Sequence, residues 1–451
     1  MAEKVNVLLI GGGGREHAIA QKLRASPRLG DLWITNPENA GLARIAKPVD
    51  VPVGIREIYR LEQFCDKNKV GLVVIGPEDP LCEGYADKLK APGRLVFGPS
   101  VEAAKLEGDK AWSKQLMRGA SIPTADARIF TDFRAAKDYL ASRESPPALD
   151  RRSQGLVAKS RDAHAEAPPV IKASGLAKGK GVIVPSTFKE AHDALERMMV
   201  KKEFGEAGRR VVIEERLEGT EVSVLAIVDG SNILVLPACR DHKRLLDGDK
   251  GPNTGGMGAY CPADNIDEET LRHVEREILV PTVDALRREG IEYKGVLYAG
   301  IMLTPAGPKA LEFNCRFGDP ECQPLMARLR SDLIDLLCGA CEGTLDRVEV
   351  EWDSRAACCV VMASRGYPDA PKKGLPIQGI EHAEKEKDVI VSIAGATRER
   401  DGTVVTTGGR VIGVTGLGNT LEQASARAYA AASKISFEGA QYRKDIGQPA
   451  V

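Results

Sequence analysis

The feature that most constrains this chain is the alternation of its first hundred residues. Short apolar runs, VNVLLI, DLWIT, VGLVVIG and RLVFG, are separated by the amphipathic segments EHAIAQKL, IREIYRLEQFCDKN and LCEGYADKLKA. Apolar strands alternating with helical periodicity predict an α/β fold with a Rossmann-like parallel sheet at the N-terminal end and helices on both its faces. In such sheets ligands gather where loops leave the carboxyl ends of the strands. Those loops read GGGGREH (11–17), NPENAG (36–41), GPEDP (76–80) and GPS (98–100), all rich in Gly, Pro and polar residues.

Helices dominate 101–142, and the stretch 143–169 then loses apolar periodicity and collects Pro, Ser and charge. It reads as a poorly ordered surface insertion. β-like runs follow at VIKAS, GVIVP, RVVIEE, EVSVLAIVDG and NILVLPA, with one helix near 189–201 and another over roughly 267–289. Strands at GVLYAGIMLT and KALEFNC precede a helix over about 322–341, and the tail from 347 mixes strands with the closing helix TLEQASARAYAAASKI.

Charge and cysteine usage exclude several classes. Lys+Arg 63 against Asp+Glu 64 leaves a net charge of −1, so no broad nucleic-acid-binding surface is expected. No apolar run reaches the roughly 18 residues of a membrane helix, and the apolar start is broken by glycines rather than followed by a cleavage site. The ten cysteines are scattered, several within apolar runs, so reduced and buried thiols are expected. Cys338-Gly-Ala-Cys341 has no second pair and ends a helical pattern, which points to packing rather than zinc. Together these place the chain in the cytoplasm.

Five segments could carry chemistry. LLIGGGGREHA (8–18) runs a strand into four glycines and a helix, exposing backbone N–H groups to an anion. The dinucleotide pattern G-x-G-x-x-G fits poorly, because its last glycine falls on Glu16 or His17. A phosphate-bearing ligand, a nicotinamide cofactor and a tight strand-helix turn all remain open there. VIKASGLAKGKGVIV (170–184) carries Lys172 and a Gly/Lys hairpin that is not a P-loop, since Lys180, Gly181 and Val182 stand where that motif needs Gly, Lys and Ser or Thr. Such a hairpin can close over a polyphosphate; a solvated basic hairpin is the plain alternative. VVIEERLEGTEVSV (211–224) leaves a strand into Glu214, Glu215 and Leu217 and then Glu221, a pattern able to meet a nucleobase edge and a ribose, or simply to be a solvated acidic loop.

The last two segments are the strongest. DHKRLLDGDKGPNTGGMGAYCP (241–262) reads as a long, glycine-dense functional loop carrying Asp241, His242, Lys243, Arg244 and Asn253. LEFNCRFGDPE (311–321) puts Glu312 and Asn314 two apart on a strand, so both project to one face, with Arg316 on the same side. A hard cation such as Mg²⁺ suits that oxygen pair together with phosphate oxygens, and an ion pair of Glu312 with Arg316 is the structural alternative.

In this order the segments resemble the ATP-grasp ligases, and among them the phosphoribosylamine–glycine ligases. The resemblance runs nearly end to end: it rests also on VGLVVIGPEDPL, FGPS, LEGDKAWSK, IPTA, FGEAG, YKGVLYAGIML, TTGGRVIGVTGLG and YRKDIG. It implies an ATP-grasp architecture divided into a Rossmann-like substrate domain (1–104), an ATP-grasp region (105–338, with a lid at about 124–195) and a C-terminal α+β domain (339–451). It further implies ATP-dependent ligation of glycine to 5-phosphoribosylamine through a glycyl phosphate, with Mg²⁺ or Mn²⁺, in purine biosynthesis. The chain would then act either alone or as a module fused to another enzyme of that pathway.

Carried onto this sequence, the resemblance implies that Lys110 and Lys172 hold ATP phosphates beneath a lid running through Gly175, Lys178, Gly179 and Gly181. Glu214, Glu215 and Leu217 match the adenine hinge and Glu221 the ribose acceptor, Glu312 and Asn314 the metal ligands, and Arg316 the cation at the transferring phosphoryl group. Gly12, Gly13, Gly14 and Arg15 would meet the sugar phosphate and Glu78 the ribose, while Asp241, Lys243, Asn253, Gly255 and Met257 are shared between sugar amine and glycine. Another ATP-grasp carboxylase or carboxylate–amine ligase, and a nucleotide-binding regulatory module without chemistry, are the rival readings.

Overall fold

The computed structural model describes residues 4–144, 167–177 and 180–448. The first unit is a five-stranded parallel sheet in the order Lys47–Pro48, Leu29–Ile34, Val5–Ile10, Val70–Ile75, Leu95–Phe97. Val7, Leu8, Leu9 and Ile10 are all buried, because helices cover both faces and leave no solvated side for polar residues to alternate onto. The mouth of this sheet, where the Gly11–Gly14 loop emerges, is where the other units meet it.

Two antiparallel sheets follow. Ala127–Phe130, Val211–Glu214, Val170–Ala173 and Val182–Ile183 form a small sheet. Helices Phe133–Glu144 and Phe188–Met199 cover one of its faces through Ala136, Leu140, Ala191, Leu195 and Met198. The larger sheet runs Ile233–Val235, Thr220–Asp229, Lys294–Thr304, Gly307–Asn314. Its two long central strands pair from Thr220↔Leu303 to Asp229↔Lys294, and Thr220–Asp229 is continuously buried from Val222 to Asp229, the apolar run Val224–Val228 flanked by the buried polar residues Ser223 and Asp229.

A fourth sheet, ordered Arg240–Asp241, Gly258–Cys261, Ala356–Ala363, Arg410–Gly418, Val389–Ile393, corrects the reading of 241–262 as a loop. Both ends of that segment are strands, and between them Arg244–Leu246 and Lys250–Asn253 pair as a hairpin. Glycine density hid these short strands, and Gly258–Cys261 finds its second pairing partner, Ala356–Ala363, only a hundred residues downstream. The expected helix over 322–341 is also two helices, Cys322–Arg328 and Leu333–Glu342. Leu329 turns extended, and the Asp332 carboxylate accepts from Ile334 N–H at 2.8 Å to start the second helix. Among the described residues no helix is long and apolar enough to cross a membrane.

Candidate active site

The glycine loop is more fully braced than an open anion cradle would be. Gly13 is the N-cap of helix Gly14–Arg24, and its N–H is taken at 2.6 Å by Glu16 Oε2. A Cβ on Gly13 would stand 2.8 Å from that oxygen and would push the Glu16 carboxylate off this N–H. Asn39 Nδ2 donates to Gly12 O at 2.8 Å and Gly11 N–H to Thr35 Oγ1 at 3.1 Å. The first-turn N–H groups of Gly14 and Arg15, which a helix cannot satisfy internally, remain for an anion. Arg15 is buried, with Nε 2.5 Å from Glu16 Oε1 and Nη1 donating to Phe317 O at 3.0 Å.

Arg316 is the hub beside this loop. Its Nε lies 3.1 Å from Glu78 Oε2 and its Nη2 2.8 Å from Glu107 Oε1, with Asn314 Oδ1 at 3.4 Å from the same nitrogen. The other Glu107 oxygen accepts the Cys315 N–H at 2.8 Å. Burial would raise the Glu78 carboxyl, but Arg316 and then Arg15 hold it below the ordinary range. Burial prevails at Glu107 and pushes its carboxyl up despite Arg316. The ion pair weighed from sequence, Glu312 with Arg316, is absent among the described residues; Arg316 turns to Glu78 and Glu107 instead.

The C-terminal sheet closes the other side. Arg410 Nη1 donates to Gly255 O at 2.6 Å and to Asp319 O at 2.5 Å, and its Nη2 lies 3.2 Å from Asp319 Oδ2. Tyr367 OH accepts the Gly255 N–H at 2.9 Å. Gly256 sits at φ +110°, where a Cβ would come within 2.5 Å of Pro320 Cδ and 2.8 Å of Asp241 Oδ1. That Asp241 oxygen is buried and has no hydrogen-bond partner among the described residues. Burial, then the neighbouring Glu321 carboxylate, raises Asp241 well above the usual carboxylate range. Asn253 is exposed on the hairpin, whereas Met257 is fully buried and both its backbone groups are taken, by His242 O and Val361 N–H. Met257 is therefore packing beneath the loop in this arrangement.

Between the small sheet and the central sheet lies a cationic cleft. Lys172 Nζ is 2.7 Å from Glu214 Oε2 and donates to Leu311 O at 3.1 Å, and Lys114 Nζ is 3.2 Å from Glu214 Oε1. Glu214 is thus held by two lysines, while Glu215 is exposed and donates its N–H to Asp126 O at 2.8 Å, and Leu217 is half-buried. Glu221 pairs with Lys243, Oε2 to Nζ 2.8 Å. Lys110 begins helix Lys110–Gly119, its N–H donating to Ser174 O at 2.7 Å. Gly175 packs on Ala207 and Gly181 on Ala177; Lys178 and Gly179 lie outside the described residues.

Glu312 faces this cleft from the central sheet and has neither a side-chain hydrogen bond nor an ion pair among the described residues. Burial would raise its carboxyl, but Lys243, Lys172, Lys110 and Arg316 hold it below the ordinary range. An ionised carboxylate ringed by cations, and left uncontacted, suits a site where a polyphosphate and its cation complete the charge balance. The sequence reading missed Lys114, Glu107, Asp319, Tyr367 and Arg410. The Lys110/Lys114 spacing of one helical turn was available to it; Tyr367 and Arg410 act through contacts more than a hundred residues away in sequence.

Residues 5–107 match the model of the phosphoribosylglycinamide synthetase N domain, residues 108–322 its ATP-grasp (A) domain, and residues 357–449 its C domain. The chain is 49% identical over 449 residues to a phosphoribosylamine–glycine ligase of Rhodopirellula baltica, covering 99% of this chain and 98% of that one. It is 45% identical over 448 residues to one from Neisseria meningitidis, covering 99% of this chain and 100% of that one. A crystal structure of the ligase of that name from Thermotoga maritima superposes with a TM-score of 0.80 at 32% identity, over 98% of this chain and 100% of that one. The biotin carboxylase domain of a Hydrogenobacter thermophilus 2-oxoglutarate carboxylase shares the fold, with a TM-score of 0.70 at 15% identity over 98% and 92% of the two chains.

Proposed function

The chain belongs to the phosphoribosylamine–glycine ligase family and is an ATP-dependent ligase of purine biosynthesis; from that premise we propose that it joins glycine to 5-phosphoribosylamine, giving glycinamide ribonucleotide, ADP and phosphate. A carboxylate is a poor electrophile, so the glycine carboxylate attacks the γ-phosphorus of ATP, ADP leaves, and the sugar amine displaces phosphate from the resulting glycyl phosphate. Little covalent work falls to the protein; placement and charge neutralisation carry the rate. The observation that bears most weight is Glu312, its carboxyl held below the ordinary range by Lys243, Lys172, Lys110 and Arg316 and, among the described residues, without a side-chain hydrogen bond or ion pair.

In this reading Lys110 and Lys172 neutralise the ATP phosphates, and the hairpin through Gly175 and Gly181 covers them and excludes water from the acyl phosphate. The backbone from Glu215 to Leu217 receives the adenine and Glu221 the ribose, with Lys243 released from Glu221 to share the glycine. Glu312 and Asn314 would hold Mg²⁺, whose charge supplies Lewis-acid stabilisation at the phosphoryl oxygens; Mn²⁺ suits the same oxygen donors. Gly12 to Arg15 receive the sugar phosphate at the helix N-terminus, Glu78 the ribose, and Asp241 Oδ1 the reacting amine, while Arg410 holds Gly255 in place. The three units 1–104, 105–338 and 339–451 thus supply the sugar site, the nucleotide site and the clasp over both. Ten unpaired thiols fit a cytoplasmic setting.

Glycine labelled with heavy oxygen in its carboxylate tests the route: one label should appear in each phosphate released. Unlabelled phosphate alongside a normal yield of amide would rule out the glycyl phosphate.

A further inference from the structure

Cys239 and Cys261 stand opposite each other where the two ends of the 240–260 segment meet. Arg240 pairs with Tyr260 and Asp241 with Ala259, so the same register places Cys239 across from Cys261. The Cys239 N–H and C=O both turn the other way, to Ser223, at 2.9 and 2.8 Å. Continued by one residue, the register makes Cys239/Cys261 a non-hydrogen-bonded position, the kind at which a regular ladder brings Cα atoms to about 4.5 Å and side chains to their closest. That spacing is within the range a disulfide spans, about 4.4 to 6.8 Å. Both sulfurs lie over the Pro237 carbonyl, at 3.7 and 3.8 Å, and the two thiols are within hydrogen-bonding reach of each other.

Arg328 supplies the second observation. Its Nε and Nη2 donate to the carbonyls of Arg355 and Asp353, at 2.7 and 3.0 Å, and its Nη1 lies 3.0 Å from Cys261 Sγ. This buried guanidinium makes no ion pair with a carboxylate among the described residues, and an uncompensated buried charge is costly. Among the described residues, Cys261 Sγ is the one side-chain group able to become an anion that this guanidinium touches. Burial would raise the Cys261 thiol, but the Cys239 hydrogen bond and Arg328 bring it below its ordinary value, while burial leaves Cys239 well above.

We propose that Cys239 and Cys261 are a modification site: a hydroperoxide-oxidisable pair in which Cys261 is the attacking sulfur and Cys239 the resolving one. The Cys261 thiolate attacks the peroxide, forming S–O as O–O breaks, and the leaving oxygen takes a proton to depart as water. The Cys239 sulfur then attacks the sulfenic sulfur, forming S–S, and the departing oxygen takes the Cys239 proton as a second water. Two thiols and one hydrogen peroxide thus give one disulfide and two waters. Strand Arg240–Asp241 is only two residues long, and beside it Cys239 is held by its two bonds to Ser223, so a small oxidant reaches the buried pair when this short segment opens and those bonds part. The bond ties together the ends of the segment carrying Asp241, Lys243 and Gly255.

The test is a non-reducing tryptic map of the native protein after hydrogen peroxide and blocking of the remaining thiols. Cys239 and Cys261 lie in separate peptides, 217–240 and 251–272, with one cysteine each. A single linked pair of these peptides, reversible by dithiothreitol, is expected as titratable thiols fall from ten to eight. Cys239→Ser leaves Cys261 as a sulfenic acid that dimedone traps, and Cys261→Ser consumes peroxide at least about tenfold more slowly. Oxidation confined to the partly exposed Cys82 and Cys341, or a link that forms only in denaturant, overturns the proposal without recourse to any variant.

Discussion

Lys172 reaches across the small sheet to Glu214, Nζ to Oε2 2.7 Å, while Lys114 takes the other oxygen of the same carboxylate at 3.2 Å. All three side chains are buried, so the carboxylate is what allows two ammonium groups to stand side by side between the small sheet and the central sheet. Burial lowers Lys114 in spite of Glu214, whereas at Lys172 Glu214 and Glu312 overcome burial and raise it. Glu214→Ala leaves both charges without a partner and should destabilise the fold by about 3–5 kcal/mol. Urea unfolding reads this directly, and an unshifted midpoint would show that the triad contributes nothing.

Glu312 has no side-chain hydrogen bond or ion pair among the described residues for its loss to break, so Glu312→Gln should remain folded. Turnover should fall by about a hundredfold or more, and the Mg²⁺ concentration for half-maximal rate should rise. Steady-state rates across a Mg²⁺ titration check both; near-normal rates and an unchanged Mg²⁺ requirement would remove Glu312 from the metal site.

The Arg410 clasp should bear on one substrate and not the other. Arg410→Met frees Gly255 O and both Asp319 contacts, and the KM for phosphoribosylamine should rise by about tenfold or more, the effect of about 1.4 kcal/mol. The KM for ATP should stay within about twofold. Equal changes in both constants would mean that Arg410 supports the fold generally rather than the sugar side of the site.

Acid should weaken the fold through two neutral histidines. His17 Nδ1 accepts the Ile393 N–H at 2.8 Å, and burial, then Arg44, hold the ring down to about 4. Burial, then Arg443, hold His242 down to about 4 as well. An unfolded histidine titrates near about 6.5. The stability these neutral rings contribute is complete above about pH 6.5 and is lost as pH falls toward 4, by at most about 1.4 kcal/mol per pH unit for each ring. Urea midpoints should drop between about pH 7 and about pH 5, and His17→Gln, which removes one titration, should flatten that drop. An equal drop in the variant would contradict the assignment.

The legible parts of this molecule were those whose signal is local. The parallel sheet followed from apolar runs at Val5–Ile10 and Val70–Ile75 alternating with helical segments, and the Glu312/Asn314 pair followed from spacing on one strand. What was illegible is non-local. Gly258–Cys261 reads as loop because Gly258, following Gly255 and Gly256, lowers strand propensity, and only Ala356–Ala363, far downstream, makes it a strand. Met257 stood in a functional motif, yet the fold turns it inward. Arg410 and Tyr367 carry no pattern that ties them to Gly255; the folded sheet alone brings them there.

The most direct measurement is ADP release by the purified chain with Mg²⁺-ATP, omitting glycine or freshly generated phosphoribosylamine in turn. The account predicts that release needs both and that glycinamide ribonucleotide appears by mass in equal amount. Release that ignores both and responds instead to bicarbonate or another acid would contradict it.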